Sequence, residues 1–545
     1  MRKVVIGAMA ISLVTTPWVS SDALIIPKII ILTCLGGFLL PSLLRNYKIF
    51  LVNKKSKIFL TFAFLFVTQM VLVMIMSSAP FEQEFFGVTG RGLGFLTYIS
   101  LIIIMLYTSI SIKNSDIPKI FYGLFISCLL SSVYSIFQFF NIDFSDWRTQ
   151  TNGIIGTIGN PNFQSSFIAI AFVPTMIYLW SKKYRYLLIS LFGPILLFTL
   201  YICESTQGYI ALLTAMAFFA LSYLFYEKSR LIFVTALVST FSAGLLAIAG
   251  MLDKGPLSYY LYKVSVRSRG EMWQTVSEMI RNNPIFGVGL DSLGDYSLMY
   301  QSEKTANGIA EYIDNSHNFL LQFAATGGIL LALCYFTLIL LSLFCFFVVQ
   351  KRIGRFDSNL AALFAAWISF QMQSFISPAA IPTLVWNFMI CGTFVGLSNS
   401  MSLSTETIEK NLMKISSNQQ KFSLNASGIV SVVLAFFLTF PLFNADRLAR
   451  QADIKKDALL AVRAAKTYPE SVVRYNRLGA ALYGDRLYDL SLDIGRSAIK
   501  FNPNSYQTWI LILLNPSATI EERSKAKEAL ILIDPNNKVI KNYKF

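Results

Sequence analysis

Between residues 4 and 443 the sequence returns repeatedly to apolar runs, most of about 17 residues or longer, separated by short polar or Gly/Pro-containing breaks. A helix of that length crosses the hydrocarbon core of a bilayer, and backbone in lipid must satisfy its own hydrogen bonds. The chain is therefore predicted to fold as a bundle of membrane helices, with about thirteen spans near 4-18, 24-44, 58-79, 93-112, 117-140, 161-180, 186-203, 208-226, 231-250, 318-348, 358-377, 381-399 and 427-443. Composition agrees, since 54% hydrophobic and 14% charged residues leave too little polar surface for a soluble protein. The first run, behind Arg2 and Lys3, is short and also has the form of a signal peptide; we read it as a retained span.

Basic residues set the expected orientation. With the N-terminus in the cytoplasm, the connections on that side carry Arg2 and Lys3, then Arg45, Lys48, Lys54, Lys55 and Lys57, and further groups through Lys351, Arg352 and Arg355 to Lys410, Lys414 and Lys421. The short loops opposite carry only Arg91 and Arg148, with Lys28 near a helix end. Such an excess marks the cytoplasmic side, so the long loop at about 251-317 and everything after about 444 are predicted to lie outside the cytoplasm. The predicted class is all-α: a multi-pass domain over 1-444 in the cytoplasmic membrane, with a large extracytoplasmic loop, and an extracytoplasmic helical-repeat domain over 445-545.

The net charge of +16 follows from this topology, being spread over loop after loop instead of lining one element, so no nucleic-acid partner is expected. The six cysteines lie within or at the ends of spans without paired spacing, and there is one histidine, so neither a disulfide framework nor a transition-metal site is expected.

After Pro441 the sequence becomes charged and helical in pattern. Prolines recur in YPES, NPNS and DPNN at Pro469, Pro503 and Pro535, a spacing close to the tetratricopeptide period. Tyr475, Leu478, Gly479, Leu482 and Ala498 fall where such a repeat packs one helix on the next. Two or three divergent repeats are predicted, either as a plain helical array or as a groove for a peptide or protein partner.

The long loop holds the features suited to chemistry. Met272, Trp273, Val276, Met279 and Ile280 make its first part an amphipathic helix, and Pro284 with FGVGLDSLG ends that helix in a turn. The Gly287-Val288-Gly289 pair has no preceding strand, so these glycines are read as shaping the loop and not as a nucleotide fingerprint. The loop closes on DNSHNFLL, whose His317 is the only imidazole in 545 residues.

Arg269 ahead of Trp273, then NPIFGVGLDSLG, then SHNFLLQFAATGGILL at the head of a long span, resemble the O-antigen ligase and polymerase superfamily. GRGLGFLTYISL from Gly90 and TIGNPNFQSSFIAIAFVP from Thr157 fit the same resemblance, which covers roughly residues 60-400. The resemblance implies a membrane glycosyltransferase that moves a glycan from a polyprenyl diphosphate onto an acceptor hydroxyl of a lipid, a polysaccharide or a protein, with no cofactor and no metal. Membrane lipids and, for the tail, a protein partner would complete its surroundings.

Residue types can be set against that chemistry. A departing diphosphate needs cations, and the arginine fork suits it better than a point charge, which singles out Arg269, Arg267 and Arg91. Arg269 holds the position matching the family's arginine before the tryptophan, while Arg267 and its neighbours could equally bind lipid phosphates. The acceptor hydroxyl needs a base, and His317 supplies the imidazole, although a lone histidine at a helix start is more often structural. Asn318, Asn160, Asn162 and Gln207 complete the expected substrate-binding set, Asn160 and Asn162 serving equally well as a helix cap and turn. One departure stands out: many members carry Ser-Arg-Gly where this chain reads Ser205-Thr206-Gln207-Gly208, and glutamine donates hydrogen bonds but neutralises no charge. Ligation and polymerisation both remain open, and transport is disfavoured because the charges cluster at span ends and in one loop instead of at the bilayer midplane.

Overall fold

The computed structural model describes residues 1–145, 147, 153–262, 264–302, 312–400 and 418–544, with the side chains at 264–267 and 418–425 outside the description. Arg148, Lys410, Lys414 and the side chains of Arg267 and Lys421 therefore fall outside the described residues. Helices are the only regular structure among the described residues.

Among the described residues, ten helices are long and apolar enough to cross a membrane. They are carried by α2 (Ile26–Asn46), α3 (Lys54–Met76), α5 (Ile117–Phe139), α6 (Pro161–Trp180), α7 (Arg185–Ile202), α8 (Thr206–Glu227), α9 (Arg230–Met251), α11 (Phe319–Ile353), α13 (Ile381–Ser400) and α14 (Asn418–Lys455), and the chain is a multi-pass membrane protein. The other three expected spans form shorter helices: α1 (Arg2–Leu13), α4 (Phe95–Ser111) and α12 (Ser358–Ser374). At 1.5 Å per residue α1 is only about 18 Å long, short of the roughly 30 Å core. It packs inside the bundle nonetheless, with Val4, Val5, Ala8 and Ile11 buried and Ser12 accepting a hydrogen bond from Trp386 Nε1 at 2.9 Å.

Helix ends follow local signals. Asn53 and Asp357 cap α3 and α12 by accepting backbone N–H groups at 2.9 Å, and Gly354, at φ 66°, ends α11. Between α9 and α11 lies the predicted amphipathic helix, α10 (Val264–Asn282), whose Val276 and Met279 are buried against Val288, Leu293 and Ala325.

The helix α11 is broken about a quarter of the way along. Gly328 sits at φ 81°, and the carbonyls freed there accept from the incoming loop: Ala325 from Val288 N–H at 2.9 Å, Thr326 from Gly289 N–H at 3.2 Å. Gln69 of α3 donates to Gly327 and Ile285 carbonyls at 3.0 and 2.7 Å, and Ile329 N–H donates to Pro284. A Cβ on Gly328 would lie 2.0 Å from Ile285 O, and one on Gly287 would lie 2.5 Å from Ala325 O. The glycine pairs in FGVG and ATGG thus let two backbones interlock, in keeping with their reading as loop-shaping residues. On the α11 side of the break Gly327 and Gly328 are buried, so protein surrounds the non-helical backbone there.

The tail is continuous with the membrane part. The expected boundary at 444/445 falls within α14, which runs without a linker into α15 (Ala458–Ala465), α16 (Val472–Gly484), α17 (Tyr488–Phe501), α18 (Tyr506–Leu514) and α19 (Ile520–Ile533). These helices stack as hairpins. Tyr475, Leu478, Leu482 and Ala498 are all buried, and the missing side chain of Gly479 admits Leu511 and Ile494.

Candidate active site

Connections from across the sequence meet at one end of the bundle. The base of the site is the segment entering α2. Asp22 accepts from Gly90 N–H at 2.8 Å, Ile25 and Ile29 lie under Gly92, and Leu24 lies under Gly159. The ammonium of Lys28, fully buried, donates to the Thr157 carbonyl. The GRG loop and the TIGN loop, 65 residues apart in sequence, therefore rest on the same few residues.

The histidine turn is built by its polar neighbours. Asn315 Oδ1 accepts from His317 N–H at 2.9 Å, Ser316 Oγ donates to the Asn318 carbonyl at 2.6 Å, and Asn318 Oδ1 caps α11 by accepting from Leu321 N–H at 3.0 Å. These bonds hold His317 at φ 52°, in the left-handed region that costs an L-residue about 1 kcal/mol or more. Strain of this kind gathers at functional sites. Asn318 Nδ2 also donates to the Phe375 carbonyl at 3.3 Å, tying the turn to the end of α12.

The helix α10 brings its arginine to this turn. Trp273 Nε1 donates to the Ser316 carbonyl at 2.9 Å, and Arg269, one turn earlier on the same face, acts electrostatically on His317. The Arg269 guanidinium makes no ion pair among the described residues, and burial lowers its pKa. Arg91 acts on the same imidazole. Its Nη2 lies 2.5 Å from Asp314 Oδ2, three residues before His317. Asp291, from the DSLG run, fixes the Arg91 loop by accepting from Val88 N–H at 2.8 Å and Leu93 N–H at 3.2 Å, on either side of the arginine. Glu84 Oε1 in turn accepts from Leu290 N–H at 3.0 Å. Burial raises both carboxyls, Asp291 to about 6 and Glu84 to about 7.

His317 itself has no hydrogen-bond partner for its ring among the described residues, and its Nδ1 is buried. Burial, then Arg269 and Arg91, push its pKa down to about 4, against a smaller upward pull from Asp314. At neutral pH the imidazole is therefore uncharged, with a free lone pair and two guanidinium groups acting on it. The N-terminal end of α11 adds its own positive dipole at this point.

Of the residues expected from sequence, the structure gathers His317, Arg269, Arg91 and Asn318. Asn318 serves as the helix cap, and Arg267 cannot be placed. Asn160, Asn162 and Gln207 form a neighbouring group with no hydrogen bond to His317 among the described residues: Asn160 caps α6, Asn162 Oδ1 accepts from Ser205 Oγ at 2.7 Å, and Gln207 is buried with its Oε1 unpartnered. Sequence reasoning missed the supporting acids Asp22, Glu84, Asp291 and Asp314. Asp291 and Asp314 stand inside the very motifs that drew attention, DSLG and DNSHN, but their partners are more than 190 residues away.

The family model described as O-antigen ligase matches residues 191–336, a stretch that runs from within α7 through α10 and the His317 turn into α11. No curated protein matches the chain. The matched segment holds Arg269 and His317, and the match supports kinship with the O-antigen ligase superfamily and, at the level of the family, a ligase-type glycan transfer in the membrane.

Proposed function

We propose that the protein transfers a glycan from a polyprenyl diphosphate to an acceptor hydroxyl, on the extracytoplasmic face of the cytoplasmic membrane, with the mature glycan as donor and a lipid, polysaccharide or protein as acceptor. The observation that carries this reading is the unpartnered imidazole of His317 at the head of a membrane helix, with Arg269 and Arg91 both acting on it. His317 takes the proton of the acceptor hydroxyl as its oxygen bonds to the anomeric carbon of the donor sugar. The bond from that carbon to the diphosphate oxygen breaks, and the electron pair leaves on the diphosphate, where Arg269 and Arg91 meet the charge. The proton on the imidazolium then passes to solvent or to the departing anion, restoring the base.

Polymerisation by the same superfamily is the second reading, kept open by Gln207 at the position where many members of the superfamily hold arginine. Purified protein given a defined lipid-linked donor and candidate acceptors tests both. Transfer that His317→Ala reduces by roughly 10²-fold or more supports the mechanism, whereas full activity in both His317→Ala and Arg269→Ala refutes it. Joining of one repeat unit to another on the lipid carrier, without transfer to a different acceptor, selects the polymerase.

A further inference from the structure

The three proline turns of the tail all touch loops of the membrane part. The first, at Pro469, places Ser471 Oγ 2.8 Å from Thr89 Oγ1 and the Tyr468 ring 6.5 Å from Phe86, on the loop that carries Arg91. The second, at Pro503, places Asn502 Nδ2 3.0 Å from Asp295 Oδ2, where Asn502 donates to a carboxylate that also accepts from Gln83 Nε2 at 2.7 Å. The third, at Pro535, lets Asn536 Nδ2 donate to the Gln301 carbonyl at 2.8 Å. Stacked repeats put corresponding turns in a row, so one edge of the array meets three points of the loops around His317 in succession.

Between the second and third contacts the loop enters the array. Leu298, in the turn Ser297–Tyr300, is buried in one apolar cluster with Leu492, Trp509, Ile512 and Ile533, and Met299 packs beside it. The same turn reaches the arginine helix, because the Tyr300 hydroxyl accepts from Asn283 Nδ2, just past the end of α10, at 2.9 Å. Asn502 and Asp295 are both buried, so neither contact is a loose surface encounter. The base of the array is fixed as well: Asp446 on α14 accepts from Asp22 N–H at 3.0 Å, and Asp22 holds Gly90.

We propose that the turn edge of the tail is a clamp for the site of the same chain, and that Asn502 is a positioning residue which, through Asp295 and the Leu298 turn, sets Arg91 and Arg269 about His317. The tail's partner on this edge is the loop itself and not an acceptor protein. The proposal rests on the glycan-transfer reading for its kinetic consequence only, since the clamp has a physical signature of its own.

Asn502→Asp supplies the test. It removes the amide donor and sets a second buried carboxyl beside Asp295, a pair that must hold either two mutually repelling charges or a proton taken from solvent, so the contact is weakened as pH rises above 7. In the full-length protein we expect faster hydrogen exchange over residues 285–301, a shifted titration midpoint for His317, and kcat lower by roughly tenfold or more for every acceptor, with the KM for acceptor little changed. Adding Asp295→Asn removes the repulsion and restores all three. Leu298→Ala loosens the same contact from the loop side and gives the same pattern, which separates it from misfolding of the tail. If Asn502→Asp leaves exchange and the His317 midpoint as in wild type, or raises KM for one acceptor alone, the clamp is refuted. If wild-type protein transfers no glycan while exchange and midpoint respond as described, the clamp stands and the transfer reading fails.

Discussion

A base held near pKa 4 is a poor acceptor of protons, and what would strengthen it is the donor itself. Keeping His317 at about 4 instead of its ordinary 6.5 disfavours the imidazolium by about 3 kcal/mol. Burial is the largest cause and the two arginines follow. A diphosphate seated on Arg269 and Arg91 cancels the arginine contribution and adds negative charge, while burial remains. Inorganic diphosphate is therefore expected to raise the His317 midpoint to somewhere between 4 and 6.5. At pH 6 the protonated share then climbs from about 1% towards an upper limit of about 75%.

Linkage makes the effect reciprocal. A rise across that whole interval corresponds to diphosphate binding about 300-fold tighter to the protonated form. Because the chain has one histidine, protein labelled with ¹³C-histidine gives a single imidazole signal, and titration with and without diphosphate reads the midpoint directly. The kinetic counterpart has a definite sign. The working form is neutral, so activity is lost as pH falls; the acid limb of kcat/KM, which reports free enzyme, lies near 4, and that of kcat lies higher. A free-enzyme midpoint near 6.5, or one that saturating diphosphate leaves in place, would refute the argument.

Arg269→Lys keeps the charge but loses the fork that grips two phosphate oxygens, and is expected to lower kcat by roughly tenfold to hundredfold in the transfer assay. Its midpoint for His317 stays close to wild type, whereas that of Arg269→Gln rises, since Arg269 acts on the imidazole through charge. Gly328→Ala puts a methyl group 2.0 Å from the Ile285 carbonyl at a left-handed position, and thermal unfolding in detergent should show a loss of roughly 2 kcal/mol or more.

The membrane domain was legible because lipid permits so few structures: apolar runs of sufficient length must be helices, and among the described residues ten of them form helices long enough to span. The three runs that came out short, α1, α4 and α12, are sheltered by neighbouring helices, and pattern alone does not distinguish a span facing lipid from one enclosed by protein. The histidine turn was legible for a different reason. Asn, Ser, His and Asn ahead of a run of leucines form a cap, and a cap announces a helix start whatever surrounds it. What could not be read was support at a distance. Nothing local in DSLG says that Asp291 grips both flanks of Arg91, and nothing in NPNS says that Asn502 reaches Asp295; these pairings are decided by how helices far apart in the chain come to lie together. The proline spacing of the tail suggested tetratricopeptide-like repeats, and nothing in that spacing says that the turns at Pro469, Pro503 and Pro535 contact loops of the membrane part.

The break in α11 affects how the protein meets membranes of different thickness. The apolar run from Ile329 to Val349, at 1.5 Å per residue, is about 31 Å long and just matches a typical hydrocarbon core, so a thinner bilayer favours a lean. An unbroken helix would carry that lean straight to His317. Here the segment from Phe319 to Gly327 is fastened to the 284–289 loop and to Gln69, and the joint at Gly328 lies between it and the long run. The long run can therefore lean with lipid composition while the imidazole keeps its bearing on the two arginines.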